Sequence, residues 1–148
     1  MSEHTEYNKK LAERYPFIVM KEYDPQTETF RIADDEDYSW TWLDCIPKGW
    51  KTAFGEKLCQ ELKEALDEFN YTDRYIVSQV KEKYGFLHWY DNGIPKGCRA
   101  WDVIKKYENI SYHTCCKCGK PATKISRGWI CPYCDDCATE PEGAYDDI

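Results

Sequence analysis

No stretch of this 148-residue chain is apolar for long enough to cross a bilayer, and the opening MSEHTEYNKK places no hydrophobic region after its charges. A soluble, intracellular protein, with its thiols kept reduced, is therefore expected. Basic charge is in deficit, 20 Lys and Arg against 27 Asp and Glu, for a net charge of −7. That balance is the opposite of the footprint of an autonomous nucleic-acid binder, and it favours solubility or a basic partner. There is no Gly-rich phosphate loop. Histidine is scarce, three residues in all, and none falls between Cys118 and Cys137, where a nuclease of the HNH type would need one. His88 with Asn92 beyond it imitates such a site only weakly, and an ordinary packed or surface histidine is the stronger reading. Cys45, Cys59 and Cys98 each stand alone without a neighbouring base and read as small core residues rather than nucleophiles.

What the chain does have is cysteine in pairs. Six of its nine cysteines lie between His113 and Ala138, with Cys115 and Cys118 separated by two residues, Cys134 and Cys137 likewise, and fifteen residues between the pairs. This is the spacing of a four-thiolate zinc site. Two cysteines so spaced fit one tight turn with both sulfurs on one ion, and Gly119 after the second accepts a positive φ. Lys120 to Tyr133 reads as two short strands around Ser126-Arg127-Gly128, and the second pair is expected to open a short helix. Cys131 competes with Cys137 as partner of Cys134, but Cys131 falls on the expected strand while Pro132 can start the turn. Cys116 and Cys131 are then left over, and His113 is an outside candidate for the shell. A disulfide framework is the competing reading, disfavoured by the paired spacing and the missing secretory leader.

Aromatic residues make up 16% of the chain, including twelve Tyr and six Trp, enough to argue for a packed core. A helix is expected over residues 2 to 14 with Ser2 as its cap, a strand at Phe30-Arg31-Ile32, and a second strand over Tyr38 to Leu43 with Tyr38, Trp40 and Trp42 facing the core. The clearest helix runs from Trp50 to about Phe69, with Phe54, Leu58, Leu62, Leu66 and Phe69 on one stripe. Strands follow at Tyr75 to Val80 and Phe86 to Tyr90, then a helix over Cys98 to Ile110 buried through Trp101 and Ile104. The expected fold is α+β: a small antiparallel sheet packed against one long helix, with a C-terminal zinc-ribbon or treble-clef-like module. Residues 1–112 would form the α+β domain and 113–148 the zinc-binding module with an acidic tail.

Two charged clusters are candidate contact surfaces. Asp34, Asp35, Glu36 and Asp37 form a solvated loop on the simpler reading, and a patch for a basic partner on the sharper one; calcium is disfavoured because the loop lacks the alternating oxygen ligands of an EF-hand. Lys117, Lys120, Lys124 and Arg127 form a local basic strip that could contact nucleic acid, opposed by Asp135, Asp136, Glu140 and Glu142 nearby.

Three segments, WLDCIPKGWKTAFGEKL from Trp42 to Leu58, QVKEKYGFLHWY from Gln79 to Tyr90, and Thr114-Cys115 with Gly128 to Ala138, resemble a family of small phage and prophage proteins across roughly residues 40 to 138. In that family the element before the long helix ends in a Gly-Trp pair, here Gly49-Trp50. Its later ligands fall at the positions of Cys134 and Cys137, the last often being His, and it has no cysteine matching Cys131. The resemblance implies a phage origin, which brings in the class of compact, acidic anti-defence proteins that includes anti-CRISPR inhibitors. The expected function is thus a non-enzymatic, zinc-binding inhibitor that acts by protein–protein contact, taking as partner a protein with a basic surface such as a bacterial defence nuclease or CRISPR effector. A nucleic-acid-binding zinc-ribbon accessory protein is the alternative.

Overall fold

Ser2 opens the first helix: its hydroxyl accepts the Thr5 N–H at 3.1 Å, Glu3 and Glu6 occupy the first turn, and α1 runs Glu3–Arg14. The computed structural model describes residues 2–32, 38–141 and 143–148. After α1 a 3₁₀ turn at Pro16–Ile18 leads into the antiparallel pair β1 (Lys21–Asp24) and β2 (Thr29–Ile32). The architecture is α+β, built from helices and small, separate antiparallel sheets.

The expected strand over Tyr38 to Leu43 does not form. Thr41 and Asp44 instead make a reciprocal cap, with the Thr41 N–H donating to Asp44 Oδ2 at 2.8 Å, and the chain turns into a 3₁₀ segment at Trp42–Cys45. Trp40 is consequently 56% exposed rather than core-facing. The local hydrogen bonds of a threonine and an aspartate three residues apart outcompete the alternating aromatic pattern.

The long helix is present and begins two residues earlier than its apolar period suggests. It consists of α2 (Lys48–Trp50), a π-helical turn (Lys51–Gly55) and α3 (Glu56–Asp67) in unbroken succession. Trp50, Phe54, Leu58, Leu62, Ala65 and Leu66 are buried along it. Burying each leucine contributes about 2 kcal/mol. Asn70 closes the segment in the left-handed region at φ 51°, and Phe69, past the last turn, is 41% exposed instead of sharing the stripe.

β3 (Val77–Lys83) and β4 (Phe86–Asp91) form a bulged antiparallel ribbon, turned at Tyr84 and Gly85, both with positive φ. This ribbon lies against α4 (Ala100–Tyr112), which stands between β4 and α3. Two side chains of α4 take the outer N–H groups of β4: Leu87 donates to Ser111 Oγ at 2.8 Å and Trp89 to Glu108 Oε2 at 3.1 Å. The open strand edge is thereby covered. On its other side α4 meets α3, where Lys106 Nζ reaches Glu61 at 2.7 Å and the Tyr107 hydroxyl donates to the same carboxylate. The buried stripe of α4 is Ala100, Val103, Ile104, Tyr107 and Ser111, so Trp101, one position off it, is 58% exposed.

The last segment carries β5 (Lys124–Ser126), β6 (Pro132–Tyr133) and β7 (Tyr145–Asp147) in the order β6-β5-β7, all antiparallel. The hairpin between the cysteine pairs matches expectation. Its third strand does not, since the acidic tail pairs with β5 through Ser126↔Tyr145 and Lys124↔Asp147.

Candidate metal centre

The first cysteine pair closes on itself. The Cys115 N–H donates to Lys120 O at 2.8 Å and the Gly119 N–H to Cys115 O at 3.0 Å, with Gly119 at φ 83°. The second pair makes a matching turn, Ala138 N–H to Cys134 O at 3.0 Å, but no helix follows it among the described residues. The chain is drawn away into β7 instead, so the module is a ribbon between two knuckles rather than a treble clef.

These two turns bring Cys115, Cys118, Cys134 and Cys137 together with their sulfurs within 4.8 Å of one another. A tetrahedral ion with metal–sulfur bonds of about 2.3 Å needs sulfur–sulfur edges of about 3.8 Å. Cys118 and Cys134 already stand 3.5 Å apart, so the donor set fits a single thiophilic ion with little movement. The electrostatics agree. Burial disfavours the Cys115 thiolate, but the backbone N–H groups of Cys118, Cys134 and Lys117 point at its sulfur and bring its pKa down to about 6. The sulfur hydrogen bond to Cys134, with burial adding to it, pushes Cys137 up to about 12, as crowded thiols without a cation require. A dication held at the centre would replace those shared protons.

The leftover pair is not idle. Cys131 Sγ lies beside Cys116 and donates to Glu82 Oε1 on β3 at 3.0 Å. Cys116, burial and Glu82 all hold Cys131 in the thiol form, so both cysteines belong to the packing between ribbon and module, outside the four-sulfur group. His113 is exposed, edge-on to Tyr112, and also outside it. Cys59 and Cys98 are buried as expected, while Cys45 is half-buried.

The seating of the first knuckle rests on Gly49. Its N–H donates to Cys116 O at 2.9 Å, and a Cβ there would lie 2.2 Å from Cys115 O and 2.7 Å from the Cys116 carbonyl carbon. Gly119 is the reciprocal case, since its Cβ would meet Gly49 O at 2.7 Å. Next to this contact Trp50, wholly buried, donates its indole N–H to Thr114 O at 2.8 Å. The Gly49-Trp50 pair is thus a socket for the cysteine module, a role that sequence alone does not reveal because its partner lies over sixty residues away.

The basic strip is largely answered within the chain. Arg127 Nη2 pairs with Asp146 Oδ1 at 2.6 Å, Lys124 with Asp147, and Lys120 Nζ with Asp136 Oδ2 at 3.6 Å, while Lys117 makes no ion pair among the described residues. Asp34, Asp35, Glu36 and Asp37 lie outside the described residues. His88 shares a 3.3 Å hydrogen bond with the Tyr90 hydroxyl, and the four-cysteine group is the metal-type cluster found among the described residues.

Fold and site together define an α+β protein whose C-terminal four-cysteine cluster can hold a metal ion. Compared with protein families, characterised proteins and solved structures, the chain finds no match. Among the described residues no helix is long and apolar enough to cross a membrane.

Proposed function

We propose that this chain is a non-enzymatic, phage-type protein in which Cys115, Cys118, Cys134 and Cys137 hold one structural zinc ion, and which inhibits a host nucleic-acid-handling defence enzyme by protein–protein contact in the bacterial cytoplasm. Four thiolates close a tetrahedral shell and leave no position for a reactive water, which supports a staple over a catalytic metal. The observation that carries the choice of partner is the neutralised strip: Lys120, Lys124 and Arg127 are each paired to a carboxylate of the chain, whose net charge is −7. An acidic protein without a free cationic module suits a basic channel better than it suits a duplex. Trp129, 80% exposed at the β5–β6 turn, lines with Tyr84 and Ile130 an apolar groove of about 230 Å3, the kind of anchor that carries binding energy at an interface.

The test loads a purified CRISPR effector with its nucleic acid in the presence of the protein. Loading is expected to fall, with relief by rising salt, by neutralising Asp34 to Asp37, and by Trp129→Ala. Inhibition indifferent to all three sinks the electrostatic reading. Elemental measurement finding no stoichiometric zinc in protein purified without added metal rejects the staple.

A further inference from the structure

The outward face of the β3–β4 ribbon combines cations and rings in a way the metal module does not. Register pairs Gln79 with Tyr90, Lys81 with His88 and Lys83 with Phe86, which sets all six side chains on one face, opposite the buried Val80, Leu87 and Trp89. Lys81 Nζ stands 5.8 Å from the Tyr90 ring centre, the His88 and Tyr90 rings lie within 21° of parallel at 6.1 Å, and Phe86 stacks on Tyr112 at 4.5 Å. Neither Lys81 nor Lys83 makes an ion pair among the described residues. The nearby carboxylates are engaged elsewhere: Glu82 by Cys131 on the opposite face, Asp91 by the Tyr75 hydroxyl, Glu108 by Lys105 and the Trp89 N–H.

We infer that this ribbon face binds single-stranded nucleic acid. Aromatic and imidazole planes offer stacking surfaces for unpaired bases, which a duplex keeps buried in its own stack. Lys81 and Lys83 stand two positions apart on one strand, their backbone positions about 6.7 Å apart along it, so their flexible side chains can reach successive phosphates. The net charge of −7 does not cancel this, since at about 0.1 M salt charges more than about 10 Å away are largely screened and the local face decides. The surface is independent of the inhibitor reading, because it is measured with the pure chain and no enzyme.

The experiment is fluorescence anisotropy of labelled oligo-thymidine with the full, zinc-loaded protein at about 50 mM and about 200 mM salt. Binding is expected at the lower salt, weaker for a duplex. Tyr90→Ala should weaken it about tenfold. Lys81→Gln with Lys83→Gln should lower the slope of log affinity against log salt by about 1.4. Lys117→Gln with Lys124→Gln should change little, and circular dichroism with zinc content verifies the fold of each variant. No binding at low salt, equal binding of duplex, unchanged affinity in the ribbon variants, or polyglutamate competing as well as the oligonucleotide overturns the inference; the last outcome reassigns the face to an acidic protein.

Discussion

The helical half and the cysteine ribbon meet at the Gly49–Cys116 hydrogen bond, and different physics holds each side of it together. Around α3 and α4, a stripe of leucines and aromatic rings is removed from water, and the polar atoms that go with them find partners, as when the Trp89 indole N–H donates to the Tyr75 hydroxyl at 3.0 Å and that hydroxyl to Asp91 at 2.6 Å. In the ribbon, strands of two or three residues bury little beyond Ile125, Pro132 and the cysteines Cys115, Cys131 and Cys134. Such a segment cannot offset the entropy of ordering its backbone by burial alone. The surface it shares with α2 contributes, and the ion proposed to join the knuckles would supply the rest.

The largest expected effect comes from removing the proposed ion. A chelator or Cys118→Ser forfeits on the order of 10 kcal/mol in modules of this size, so residues 113–148 should lose hydrogen-exchange protection while α3 and α4 keep theirs. Equal loss in both halves, measured by mass spectrometry, would show one cooperative unit instead of two. Next comes Gly49→Ala, whose methyl meets fixed backbone and not a movable side chain; it should cost about 3 kcal/mol in denaturant unfolding by lifting the knuckle from its socket. Trp50→Phe keeps most of the apolar volume and strands the Thr114 carbonyl, for about 2 kcal/mol.

A smaller effect lies outside the four-cysteine cluster. Burial opposes the charge on Asp44, but hydrogen bonds from Lys51 Nζ at 2.6 Å and the Thr41 N–H outweigh it and hold its pKa below the ordinary carboxylate value. A depressed folded-state pKa contributes stability that is complete above the unfolded value of about 4 and disappears as pH falls through the folded one. Asp44→Asn should therefore cost about 1 kcal/mol at neutral pH and flatten the acid limb of the stability profile. Smallest of all, Trp101→Ala should shift stability by under about 0.5 kcal/mol, because its ring is exposed beneath Lys105 rather than packed.

Much of this contrast is legible in the sequence. Paired cysteines at that spacing, the period of Phe54, Leu58, Leu62 and Leu66, and the Asn70 terminus depend on neighbours within a turn or two. The misplaced elements are those in which two local rules disagree or a distant partner decides. Tyr38 to Leu43 alternates like a strand, yet the Thr41 and Asp44 cap within it was the stronger signal. Spacing sets Trp101 with Ile104 on the buried side of its helix, but the stripe that packs runs through Ala100, Val103, Ile104 and Tyr107 and leaves Trp101 one position off it. The basic strip was visible, but β7, which neutralises Lys124 and Arg127, was not, because three residues of acidic tail carry no strand signature until β5 offers an edge.

Spacing and period thus settled the cysteine set and the main helix, since a knuckle and an amphipathic stripe are short-range objects whose geometry follows from residue type and separation. Only the tertiary structure could place α4 between ribbon and long helix, turn the Gly49-Trp50 pair into the seat of the four-cysteine module, and pair Lys120, Lys124 and Arg127 with carboxylates while Lys81 and Lys83 make no ion pair among the described residues. Each of those depends on which surfaces meet, and that is decided by the shared burial and hydrogen bonding of the whole chain.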